Sequence, residues 1–181
     1  MPHPDLAKVL VEEEIIQMRV AELAAQISAD YAASRHLYLI GILKGSFLFL
    51  ADLARRLTIP HTVDFMAVSS YGRKGSTSGE VRLLMDLREP VTGADLLIVE
   101  DIVDSGKTLH YLYDILGGRQ PASLKTCAFV QKEREHIAFA VDYLGFTIPD
   151  VWVVGYGLDY SERFRTLPYV AELKREVYST V

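Results

Sequence analysis

Two stretches of the chain, LYLIGIL at 37–43 and DLLIVEDI at 95–102, are apolar at almost every position for most of their length. A strand with one wet face alternates apolar and polar side chains. A run without alternation must be covered on both faces, the pattern of strands inside a parallel sheet with helices above and below. The intervening segments supply those helices. From Glu12 to about Tyr31 the apolar residues Ile16, Val20, Leu23, Ile27 and Tyr31 recur at helical spacing. The acids Glu12, Glu13 and Glu14 stand where a helix N-terminus favours negative charge. FLFLADLARRL (47–57) and TLHYLYDILGG (108–118) read as two further helices. TVDFMAV (62–68), EVRLLMDL (80–87), LKTCAFV (124–130) and VWVVGYG (151–157) read as further strands, the last of them closing the series. This order predicts an α/β fold with a largely parallel sheet. The less regular stretch from Lys132 to Pro149 and the C-terminal tail are expected to form a small cap over the sheet edge.

With 181 residues the chain has the length of one domain with a substantial core, and one domain over 1–181 is expected. A net charge of -5 gives no global sign of a nucleic-acid-binding surface. Cys127 is the single cysteine and sits in an apolar run, which predicts a buried structural thiol. The first residues lack the charged start and long apolar stretch of a signal peptide. No apolar run reaches the roughly 20 residues that cross a bilayer. A cytoplasmic location with no membrane partner is the expectation.

The end of the second apolar run carries the chemistry. Ile98-Val99 are followed by Glu100-Asp101, then Ile102-Val103 and Asp104-Ser105-Gly106-Lys107-Thr108. Carboxylates next to a buried strand are costly unless something compensates them. Either they are solvated turn residues, or they face a cation, a sugar or a base. In open parallel sheets ligands bind beyond the carboxyl ends of the strands. The turn into the next helix offers backbone N–H groups and two hydroxyls to an anion such as phosphate. A nucleotide-triphosphate loop is excluded, because G-x-x-x-x-G-K-[ST] would need glycine at 101, where Asp101 stands. A ribose 5-phosphate suits the pattern: the turn holds the phosphate, and the paired acids accept hydrogen bonds from sugar hydroxyls.

Two apolar residues, two acids, two apolar residues and then D-[ST]-G-x-T resembles the binding signature of the type I phosphoribosyltransferases. Four further stretches, in the same order along the chain, resemble the hypoxanthine-guanine members of that family: Leu43-Lys44-Gly45, Ser70-Tyr71, Lys132 and VWVVGYGLDYSERFR at 151–165. The resemblance implies the type I phosphoribosyltransferase fold, a mostly parallel central sheet flanked by helices with a small hood over the strand C-terminal ends. It also implies transfer of a phosphoribosyl group from 5-phosphoribosyl 1-pyrophosphate to hypoxanthine or guanine, giving IMP or GMP and pyrophosphate. Asp104 would then be the catalytic acid or base facing N7 of the purine. Asp104, Ser105, Gly106, Lys107 and Thr108 would hold the 5-phosphate. Glu100 and Asp101 would bind the ribose hydroxyls and Mg2+, with Asp159 contacting a second Mg2+ through water.

By the same resemblance Lys132 would donate to the 6-oxygen; as a residue of the charged run QKERE it would otherwise be a solvated lysine. Trp152, where the family usually has phenylalanine, would stack on the base, and Val153 would offer backbone groups to its edge. Arg165 and the Lys44-Gly45 loop would bind pyrophosphate, with a non-proline cis peptide between Leu43 and Lys44. The family often has glycine where this chain has Ser46. SSYGRKGSTSG (69–79) would be a long lid in which Ser70 and Tyr71 close over the pyrophosphate. Homodimers or homotetramers are implied as well. A competing reading is a non-catalytic regulator on the same fold, sensing phosphoribosyl pyrophosphate or a nucleotide. Such regulators carry a DNA-binding domain or a basic RNA-binding face, and neither is legible in these residues.

Overall fold

The computed structural model describes residues 3–71, 80–137 and 139–179, with Ser70, Tyr71 and Glu80 described by their backbone alone. Among these residues a six-stranded sheet forms the centre. Its strands are β2 (Leu37–Leu43), β3 (His61–Tyr71), β4 (Glu80–Met85), β5 (Asp95–Val103), β6 (Ser123–Lys132) and β7 (Tyr143–Ile148), in the spatial order β4-β3-β2-β5-β6-β7. β3, β2, β5, β6 and β7 are mutually parallel, and β4 is antiparallel on the edge beside β3.

The apolar runs are covered on both sides, as their lack of alternation requires. Leu37, Leu39, Leu97, Val99, Cys127 and Phe129 point to one face, where α1 (Glu13–Asp30) and α2 (Phe47–Ala54) lie on them. Ile40, Ile42, Leu96, Ile98 and Ala128 point to the other and pack on Leu109, Leu112 and Leu116 of α3 (Lys107–Gly117). Cys127 is fully buried, and burial pushes its thiol pKa up, so it behaves as a small core residue. β7 is an edge strand whose carbonyls would otherwise face outward. Arg19 of α1 covers two of them, donating to Leu144 O at 2.7 Å and Gly145 O at 3.1 Å.

Three elements depart from the expected pattern. The stretch 132–149 is not a cap: residues 143–148 form β7, continuing the parallel sheet. Segment 151–157 is not a strand of the central sheet. Only Val153–Val154 is extended (β8), and it joins an antiparallel sheet β1-β9-β8 with β1 (Leu6–Val11) and β9 (Val170–Leu173). Both ends of the chain therefore build the second sheet, which has its own small core of Leu6, Val154, Ala171 and Leu173. A short helix, α4 (Arg175–Tyr178), follows it. Finally, residues 69–71 belong to β3 and pair with 80–82 of β4; the rest of the expected lid, 72–79, lies outside the described residues. Among the described residues no helix is long and apolar enough to cross a membrane.

Phe129 ties these layers together. It is fully buried and meets Phe49 of α2, Phe146 of β7 and Tyr156 of the segment leading out of the second sheet, with ring centroids 5.4, 5.8 and 4.7 Å away. Phe129→Ala is expected to cost about 3–5 kcal/mol through lost burial and the cavity left behind. Urea unfolding should show a lower midpoint with an unchanged slope.

Candidate active site

Adjacent strands β2 and β5 send their following helices to opposite faces of the sheet, α2 to one and α3 to the other. Such a switch point leaves a crevice beyond the strand ends. β2 pairs with β5 only as far as Gly41↔Val99. From Glu100 onward β5 has its backbone partner on the β6 side alone, through Glu100↔Ala128. The crevice is a cleft of about 340 Å3, within the range of small-molecule sites. Lys44, Gly45, Glu100, Asp101, Asp159, Arg165 and the whole turn Asp104–Thr108 line it. A second cavity of about 220 Å3 adjoins it across Asp101, Asp104 and Asp159, and is lined by Lys132, Trp152, Val153 and Leu158. Every site residue expected from the sequence lines one of these two cavities, except Ser70 and Tyr71, whose side chains are outside the description.

The floor is the acid pair. Glu100 is only 6 % exposed and its Oε2 has no hydrogen-bond partner. Burial first, and the neighbouring Asp101 second, raise its pKa well above the ordinary glutamate value; burial raises that of Asp101 as well. Gly45 crosses this floor so closely that a Cβ there would lie 1.6 Å from Asp101 Oδ2. The peptide between Leu43 and Lys44 that leads into Gly45 is cis. Ser46 is compatible with the turn, since its buried hydroxyl donates to Ile42 O at 2.7 Å. At the other side Gly106 takes φ +79° as it enters α3, a conformation that suits glycine. The first N–H groups of α3, which have no partner within the helix, are thereby presented beside Ser105 and Thr108.

The roof comes from the segment after β8. Gly157 has φ +101°, and a Cβ there would lie 1.9 Å from Gly45 O. Tyr156 anchors this turn from beneath, its hydroxyl donating to Asp52 Oδ2 on α2 at 2.6 Å. Arg165 donates to Gly157 O at 2.9 Å and pairs with Asp159 Oδ1 at 2.8 Å, while its Nε is buried without a partner.

In the second cavity Lys132 Nζ lies 3.5 Å from Asp104 Oδ2 and 3.0 Å from Asp150 Oδ1. Arg134 pairs with Asp104 and, at 2.9 Å, with Asp150. Arg134, with Lys132 second, holds the Asp150 carboxyl below its usual range. Trp152 is not a core residue: it is 45 % exposed, stacked on Tyr178 and edge-on to Tyr160. Arg134, Asp150 and Glu162, which bridges Lys44 and Arg165, are charged neighbours that the sequence reading did not single out. The run QKERE contains Arg134, but nothing in its spacing says which of its charges turns toward Asp104.

The unpartnered oxygen of Glu100 has a consequence for stability. The folded state binds this proton more tightly than the unfolded chain. The contribution of Glu100 is therefore greatest below its ordinary value of 4.5 and is lost as pH rises through its raised folded value. Glu100→Gln should raise the Tm of the ligand-free protein by a few degrees at neutral pH and by less at acid pH. Thermal melts across pH test this; a lower Tm at neutral pH would contradict it.

Comparison with known proteins agrees with this geometry. Residues 8–161 match the family model of the phosphoribosyl transferase domain. The chain is 49 % identical to the hypoxanthine-guanine phosphoribosyltransferase of Dictyostelium discoideum, with 94 % of this chain and 97 % of the relative covered. It is 48 % identical to the hypoxanthine phosphoribosyltransferase of Salmonella typhimurium, covering 92 % and 94 %. A solved structure of the Trypanosoma cruzi hypoxanthine phosphoribosyl transferase superposes with a TM-score of 0.92 at 42 % identity, over 99 % of this chain and 97 % of that one. With an acid-floored cleft at the sheet's switch point and relatives alike over nearly their whole length, the chain belongs to the phosphoribosyltransferase family, in its purine-salvaging hypoxanthine-guanine branch.

Proposed function

We propose that this chain transfers the 5-phosphoribosyl group of 5-phosphoribosyl 1-pyrophosphate to hypoxanthine or guanine, forming IMP or GMP and pyrophosphate, with residues 1–181 acting as one domain. The observation that carries the choice of base is the pair Lys132 and Asp104, 3.5 Å apart on one wall. A 6-oxopurine presents O6 and N7 side by side on one edge. The ammonium of Lys132 suits O6 as a donor, and the carboxylate of Asp104 suits an N7–H as an acceptor. A 6-aminopurine would turn its amino donor toward the same ammonium, leaving both unpaired. Trp152 offers an aromatic face to the ring, and Val153 offers backbone groups to its edge.

The adjoining cleft suits the sugar phosphates. Ser105, Gly106, Lys107 and Thr108, with the α3 N-terminus, form the 5-phosphate cradle. Glu100 and Asp101 accept the ribose hydroxyls. Lys44, the Gly45 backbone and Arg165 face the pyrophosphate, and Ser70 and Tyr71 act from the lid. As the glycosidic bond to pyrophosphate breaks, the ribosyl carbon gains oxocarbenium character. Negative groups beneath the sugar and positive groups around the leaving group both favour that charge distribution. Asp104 takes the N7 proton as N9 bonds to the sugar.

Enzymes of this family generally need a divalent metal. We assign Mg2+: Glu100 and Asp101 would hold one ion, and Asp159 would contact a second through water. The buried, unpartnered Glu100 Oε2 and the all-oxygen donors fit a hard cation. When bound, Mg2+ supplies charge neutralisation to the pyrophosphate. We place the activity in the cytoplasm, without nucleic-acid or membrane partners, and in a homodimer or homotetramer. Ile15 and Met18 of α1, 46 % and 59 % exposed, support a self-contact. Light scattering should then give two or four times 20.3 kDa.

Nucleotide formation with the donor, Mg2+ and each of hypoxanthine, guanine, xanthine, adenine and uracil tests the reading. Product is expected with the first two; no product with any base would favour a regulator instead. Asp104→Asn should lower turnover by about 10²–10⁴-fold while leaving the melting temperature nearly unchanged. Near-normal IMP synthesis by that variant would remove Asp104 from the proton transfer.

A further inference from the structure

The turn that carries Asp159 and Arg165 also carries a carboxylate that the reaction does not need. Glu162 Oε1 accepts from Lys44 Nζ at 3.0 Å, and Glu162 Oε2 accepts from Arg165 Nη2 at 3.3 Å. Lys44 and Arg165 both line the cleft and come from opposite ends of the sequence; Glu162 is not part of that lining. The backbone builds this placement deliberately. Ser161 and Glu162 take φ of +51° and +62°, a left-handed conformation uncommon outside glycine. The Glu162 N–H donates to Asp159 Oδ2 at 2.8 Å, fixing the residue beside its two cations.

One carboxylate with an oxygen on each of two cations meets the same demand that a pyrophosphate would meet there. We propose that Glu162 is an internal surrogate for pyrophosphate: it bridges Lys44 and Arg165 while the cleft is empty and yields them to the pyrophosphoryl group of the donor. The inference rests on the assignment of Lys44 and Arg165 to pyrophosphate made above. It adds a residue that sets how tightly the pyrophosphoryl group is held. With the bridge in place, the two cations are pre-positioned and neutralised before substrate arrives. When product pyrophosphate leaves, the returning carboxylate takes its contacts, which lowers the affinity that would otherwise trap product. Lys44 and Glu162 side chains are 67 % and 64 % exposed. Exposed pairs are individually weak, so the competition should be worth about two- to tenfold in affinity rather than more.

The test is calorimetric binding of inorganic pyrophosphate, with Mg2+ present, to the full chain and to two variants. Glu162→Gln keeps the size of the side chain and removes its charge; Glu162→Asp keeps the charge and shortens the reach by one methylene. The Gln variant should bind pyrophosphate about two- to tenfold tighter, with a matching fall in KM for the phosphoribosyl donor and no change in KM for hypoxanthine. The Asp variant should fall between it and the unaltered protein. Equal or weaker binding by the Gln variant overturns the inference. So does an Asp variant equal to the unaltered protein, because a long-range charge effect would then account for the gain. In both cases nucleotide synthesis by the unaltered protein leaves the functional reading standing. If the unaltered protein neither binds pyrophosphate nor makes nucleotide with any purine, the reading itself fails and the surrogate falls with it.

Discussion

Glu100 stands at the end of a buried strand with one oxygen unpartnered and a second carboxylate, Asp101, next in the chain. Taken alone, that is a cost the fold must carry, since burial opposes the charge and the neighbour opposes it again. The rest of the architecture is arranged so that the cost can be met. α3 turns its N-terminus into the same crevice. Two cations reach it from other elements, Lys44 from the turn after β2 and Arg165 from the roof. Under the proposed function, a group that is unfavourable in the empty protein would become favourable once sugar hydroxyls and a cation arrive. The most buried acid of the site is thus also the one whose environment is least complete without ligand.

Close contact, more than hydrogen bonding, keeps the two halves of the cleft in register. Asp101, Gly45 and Gly157 form a stack in which neither glycine has room for a methyl group. Floor and roof are therefore in direct backbone contact, and a shift in one moves the other. The Tyr156 hydroxyl on Asp52 fastens the stack to α2, and its ring on Phe129 fastens it to the core. Elements distant in sequence are held in fixed relation here because the packing between them leaves no room for a side chain.

This also explains which parts of the molecule could be foreseen from sequence. LYLIGIL and LLIVEDI pointed to a sheet covered on both faces because short apolar runs without alternation, rich in β-branched residues and bounded by turn signals, fit a strand buried on both sides. β7 was missed because residues 143–148 include Gly145 and Thr147 and lie behind a charged stretch, so no apolar run announces it. β1 and β9 were missed, and β8 was foreseen too long and in the wrong sheet, for a different reason. Each is short, and their pairing joins residues 6–11 to residues 170–173, a relation no local pattern records. In the site, the acids and the glycine turn were legible because strand end, turn and helix start are contiguous. Arg134, Asp150 and Glu162 were not, since their meaning comes only from which side chains they meet across the fold.

Those three residues share a consequence. Before any ligand binds, four cations in or beside the two cavities are held by carboxylates of the protein itself: Lys44 and Arg165 by Glu162, and Lys132 and Arg134 by Asp104 and Asp150. These pairs offset like-charge repulsion among the cations, and a ligand that binds there would replace existing contacts rather than order free side chains. Under the proposed function the replacement on the base side would be selective. Lys132 already faces carboxylates, so a purine placed there would gain only by offering an acceptor in place of the one it disturbs. An O6 would do so and an amino group would not. Discrimination between oxo and amino purines would then depend on the ligand-free ion pairs as well as on contacts made to the base.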